Sequence, residues 1–166
     1  RTLIDNNRSR ALADEFVTSL YRTRSEAAKL GFDVVMCASN AAQSACDDTA
    51  TDFSKGWLIF ADYDQDRAMA PAGTTFDVMA TPTIPGDDLQ EEILYRGTAV
   101  PDGFWLGTDS TGDMARRIVY DSNGTPKGIG LGVSYSLEKD EEQRARMVIS
   151  ITGRVRTCIG DAVKCN

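Results

Sequence analysis

The chain has 166 residues, 42% of them hydrophobic and 26% charged, a globular balance rather than a disordered one. Its 18 basic and 25 acidic side chains leave a formal charge of −7, which argues against a whole-surface binder of nucleic acid or anionic membrane. There is no histidine, so Ser–His–Asp and Cys–His catalytic pairs, histidine zinc sites and histidine pH switches are excluded.

Residues 1 to about 30 read as one helix. Leu12, Phe16, Leu20, Thr23, Ala27 and Leu30 recur at gaps of 4, 4, 3, 4 and 3, the period of an amphipathic helix. Arg22 and Glu26 stand at i,i+4 on its outer face, and Gly31 occupies the place of a left-handed C-terminal cap. Upstream, residues 5–10 are polar all round, an end that is unstable alone and so reads as the continuation of an upstream helix or a projection from the domain. The chain begins at Arg1 without methionine, and its apolar runs, such as 57–61 and 147–151, fall well short of the ~20 residues that span a bilayer. The expectation is a processed or truncated chain whose removed beginning could hold a membrane segment.

After Gly31 the period becomes that of strands. Candidates are 32–37 and 56–63, then 92–96, 104–107, 116–120, 130–137 and 146–151, with 64–90 broken by prolines and glycines. Asn123-Gly124 has hairpin-turn chemistry, and the charged stretch 138–146 reads as a solvated hairpin tip. One long helix followed by many short strands predicts an α+β domain with a mainly antiparallel sheet, residues 1–30 forming the helix and 31–166 a β-rich head. Cys37 with Cys46 and Cys158 with Cys165 are local pairs without C-x-x-C spacing. Three connectivities remain open, and the reading is two structural disulfides formed in an oxidising compartment.

Candidate chemistry is sparse. Asp62, Asp64 and Asp66 alternate as in the start of a calcium loop, but Arg67 and Gly73 stand where an EF-hand needs Gly and Glu, so the stretch reads as an acidic turn leaving a buried strand. No carboxylate pair is singled out for glycoside hydrolysis among Asp47, Asp48, Asp87, Asp88, Glu91 and Glu92. Gly128, Gly130 and Gly132 alternate without a following helix and read as strand or bulge glycines. In Gly153-Arg154-Val155-Arg156 an extended backbone would project both guanidiniums on one side, a pair suited to phosphate oxygens, with Lys164 nearby in sequence.

Four features in chain order resemble the GspH/FimT/FimU-type minor pilins and pseudopilins of Gram-negative type IV pili and type II secretion systems. They are Arg24-Ser25-Glu26-Ala27 at the end of the helix, Cys37-Ala38-Ser39 with a loop closed by Cys46, Gly56-Trp57-Leu58-Ile59-Phe60-Ala61-Asp62, and Ile149-Ser150-Ile151-Thr152-Gly153-Arg154-Val155-Arg156. The resemblance implies a pilin-like fold, a long helix spine packed on an antiparallel β-rich head. It also implies a trimmed leader and a hydrophobic helix start inserted in the inner membrane, with the head in the periplasm and then on the pilus surface. The implied function is non-catalytic: priming of pilus assembly within a tip complex of minor pilins, with other minor pilins and the major pilin as partners and no cofactor or metal. On this reading Leu12, Phe16, Leu20 and Ala27 pack spine on head, and Arg8, Arg10, Arg22 and Arg24 are candidates for subunit contacts. FimT-like members bind DNA in natural transformation through a Gly-Arg-x-Arg motif, which maps onto Gly153, Arg154 and Arg156; the −7 charge predicts weak, salt-sensitive DNA binding. A GspH-like pseudopilin of type II secretion is the assembly variant.

Overall fold

The structure, a computed structural model, describes residues 2–78 and 89–160. Helix α1 (Thr2–Leu30) runs 29 residues and ends where Gly31, at φ 76°, donates its N–H to the Ala27 carbonyl at 2.9 Å. That left-handed turn is cheap only for glycine. The helix lies against two antiparallel sheets. The first has the order β5 (Ile93–Gly97), β2 (Trp57–Asp62), β1 (Asp33–Ala38), β7 (Arg117–Tyr120), β8 (Pro126–Lys127). The second has the order β11 (Val155–Ile159), β10 (Glu142–Ile149), β9 (Val133–Lys139), β6 (Phe104–Gly107). A short ribbon pairs β3 (Thr75–Phe76) with β4 (Leu89–Gln90). This is the α+β architecture, a long helix on an antiparallel β head, expected from the sequence.

One apolar core joins the helix to both sheets. Leu12, Phe16, Leu20 and Ala27 are buried in it, together with Ala13. Phe16 is its centre: the ring meets Trp57 of β2 at 5.3 Å, Tyr135 of β9 at 5.4 Å and Phe53 at 5.5 Å between centroids. Such tilted and edge-on contacts suit aromatic quadrupoles. Strands β1 and β2 are buried at every residue, which explains their unbroken apolar runs. Val34, Met36, Trp57 and Ile59 belong to the cluster under the helix, whereas Val35, Cys37, Leu58 and Phe60 form a second cluster on the opposite face, capped by Cys46 and Met69. A Cys37–Cys46 disulfide holds that cap down. Cys158 is also disulfide-bonded; Cys165 lies outside the described residues.

Several local expectations are corrected. The charged stretch 138–146 is not a long tip: β9 continues to Lys139, β10 starts at Glu142, and only Asp140 and Glu141, at φ 52° and 65°, make the turn. Its charges are the outward positions of strands whose inward residues, Leu137, Ala145 and Met147, are fully buried. Residues 130–132 precede the strand rather than start it, since Gly130 and Gly132 have positive φ. Glu26 pairs with Lys29 at 3.5 Å rather than with Arg22, whose guanidinium lies 4.0 Å from the centre of the Tyr95 ring. The polar helix start is docked as far as Asp5, which pairs with Lys139 at 2.9 Å, and Ser9 is buried. Among the described residues no helix is long and apolar enough to cross a membrane.

Candidate functional site

The helix presents two kinds of surface. Its buried stripe starts at Ser9 and Leu12; ahead of it Leu3 and Ile4 are 80% and 62% exposed, an apolar pair that no described residue covers. Arg8 and Arg10 are exposed on the same stretch, and Arg10 borders a small hollow shared with Arg144. Arg22 and Arg24 differ from them. Arg22 is held over Tyr95, and half-buried Arg24 donates to the Gly153 carbonyl at 3.4 Å while lying across Gly124. Among the described residues, the four arginines singled out from sequence are therefore two cations without an ion pair and two that brace the head.

The C-terminal strand brings Arg154 and Arg156 together. Val155 between them is buried and both arginines are exposed, lining one groove of about 410 Å³ with Leu131, Val148, Ser150 and Thr152. The register sets Arg156 opposite Val148, whose strand also carries outward Arg144 and Arg146. Arg144 pairs with Glu142 at 2.6 Å and Arg146 donates to Ser134 Oγ at 3.2 Å. The turn before the strand is tight: Ser150 N–H donates to the Arg154 carbonyl at 2.9 Å and Arg154 N–H to Ser150 Oγ at 3.1 Å. Gly153 has φ 77°, and a Cβ there would stand 3.0 Å from the Gly124 carbonyl oxygen and 3.1 Å from the Tyr120 ring. The glycine of the motif is thus demanded by packing, whatever the arginines bind. Burial pushes the Tyr120 hydroxyl beneath it up to about 12. Lys164 lies outside the described residues.

A third cluster was only half visible in sequence. Asp62 ends β2, and the loop after it turns through Gln65 and Arg67, at φ 62° and 65°. Asp64 accepts from Asp66 N–H at 3.2 Å, Asp66 from Ala68 N–H at 2.6 Å, and Asp62 Oδ2 from Arg67 N–H at 3.0 Å. Antiparallel pairing of Phe60 with Ile93, carried two residues on, sets Glu91 beside Asp62. Glu91 is buried, its oxygens accepting from Tyr63 N–H at 2.9 Å and Ala70 N–H at 2.8 Å. Burial, with Glu91 and Asp64 adding repulsion, pushes Asp62 up to about 6; burial likewise raises Glu91. Asp66, grouped with Asp62 and Asp64 by spacing, is not one of the three convergent acids, Asp62, Asp64 and Glu91. Only the strand register reveals Glu91.

Comparison with known proteins places the fold. No curated protein matches the chain. Two crystal structures of the type IV minor pilin FimU from Pseudomonas aeruginosa (strain PAO1), in different crystal forms, share its fold. One is 14% identical with a TM-score of 0.55, covering 89% of this chain and 90% of that one; the other is 15% identical with a TM-score of 0.56, covering 93% and 90%. The family described as type II transport protein GspH matches residues 12–153, from the first buried leucine of the helix to the glycine before the arginine pair. The chain belongs to the GspH family of minor pilins and pseudopilins.

Proposed function

We propose that the chain is a non-catalytic minor pilin that helps prime type IV pilus assembly within a tip complex of minor pilins. Its place of action is then the inner membrane and periplasm before assembly and the pilus afterwards, and its partners are other minor pilins and the major pilin. The observation that carries this reading is the helix: one stripe is buried in the head, while Leu3 and Ile4 ahead of it are exposed beside Arg8 and Arg10. A helix with an exposed apolar end and flanking cations suits packing against neighbouring helices in a shared spine, where burial of those side chains would contribute about 1.5–3 kcal/mol each.

Arg8 and Arg10 are the informative positions, because Arg22 and Arg24 brace the head and their loss would confound fold with assembly. The test is co-purification of the full-length protein with its partner minor pilins, wild type against Arg8→Glu/Arg10→Glu. Reduced recovery of partners with an unchanged melting temperature supports the reading; full recovery rejects these contacts. Loss of protein secretion with normal pili in a strain lacking the gene would favour the type II pseudopilin variant.

A second reading, DNA binding, is favoured by one observation: Arg154 and Arg156 are exposed on a single groove. Mobility shift of DNA at low salt, wild type against Arg154→Ala/Arg156→Ala, tests it; absence of any shift with either protein removes it.

A further inference from the structure

The end of β2 holds a buried acid with no cation beside it among the described residues. Asp62 has no exposed surface; one of its oxygens accepts from Arg67 N–H, and the other, Oδ1, accepts no hydrogen bond. One oxygen each of Asp62, Asp64 and Glu91 lies within 4.8 Å of the other two. The Arg67 guanidinium, the nearest cation in sequence, is turned away to Asp113 at 3.1 Å. An unpaired buried carboxylate costs folding energy that a bound cation would offset.

We propose that Asp62, Asp64 and Glu91 bind a calcium ion. The donors are all oxygens, which selects a hard cation and disfavours zinc and copper. Ligand oxygens 2.3–2.6 Å from calcium lie up to about 5 Å apart across it, which the observed spread satisfies. Calcium accepts irregular shells completed by water, and Asp64 is exposed, leaving a solvent side for those waters. Magnesium would need a near-ideal octahedron and gives up its waters reluctantly, a poor match to ligands on a loop and two chain segments. The ion would tie the end of β2, the 63–68 loop and the approach to β5 into one unit. This site stands independently of the pilus reading.

The test is isothermal titration of the chelator-treated protein with calcium chloride at neutral pH, with thermal unfolding in parallel. Expected are one ion per chain at a dissociation constant of about 10⁻⁴–10⁻³ M, the range of extracellular calcium modules, and a melting temperature raised by several degrees at saturation. Asp64→Asn, at an exposed position that leaves the fold intact, should weaken binding at least tenfold. Asp62→Asn should abolish binding yet melt no lower than the ion-free wild type, since it removes an unpaired charge. Absence of both heat and melting shift up to about 10 mM calcium, ten times the weakest expected constant, overturns the proposal. So does unchanged affinity in Asp64→Asn.

Discussion

Gly153 illustrates how a residue that resembles part of a binding motif is set by packing. Its positive φ and the contacts awaiting a Cβ at about 3 Å predict that Gly153→Ala costs about 1–3 kcal/mol in chemical denaturation. An unchanged midpoint would mean that the turn relaxes freely. Asp47 gives the matching electrostatic case. Hydrogen bonds from Thr49, at 2.6 Å to the hydroxyl and 3.0 Å to the N–H, and the Lys55 ammonium at 3.1 Å hold its carboxyl at about 2 rather than 3.8. A depressed carboxylate stabilises above its unfolded pKa, and that contribution fades as pH falls from about 4 through about 2. Asp47→Asn should therefore be less stable than wild type at neutral pH, with the difference narrowing over that acid window. A gap constant with pH would contradict the assignment.

At the scale of elements, legibility followed periodicity. The helix was readable because every buried position from Leu12 to Ala27 falls on a 3.6-residue stripe and Gly31 marks its end. Strands β1 and β2 were readable as apolar runs, because a disulfide-held loop covers the face that solvent would otherwise wet. The β9–β10 hairpin is harder to read from sequence because its outward charges mask an intact inward alternation through Ala145, Met147 and Ile149. Within the candidate sites, Arg154 and Arg156 share a side by simple strand geometry, whereas the approach of Glu91 to Asp62 depends on strand register, which no local pattern encodes. Because Phe16 joins helix, β2 and β9 through its ring contacts, Phe16→Ala should cost about 3–5 kcal/mol by equilibrium denaturation. A loss below about 1 kcal/mol, smaller than the transfer of a single buried aromatic, would show that the helix is not held by this cluster.

For the whole molecule, charge decides between partners. In a chain of net −7, a groove with two arginines contacts few phosphates, so DNA binding through Arg154 and Arg156 should weaken roughly tenfold for a fourfold rise in salt. A markedly steeper dependence would require further cations at the interface. Assembly makes different demands, since helix packing is apolar and persists in salt. GspH-family membership and the FimU-like fold give the molecule a long helix on a β-rich head; on the proposed reading, the exposed start of that helix is the surface it shares with its neighbours. The most direct measurement is a count of surface filaments by electron microscopy in a strain lacking the gene and in the same strain complemented with the full-length protein. The account predicts few or no filaments without it and restored numbers with it. Filament numbers unchanged by the deletion would contradict it.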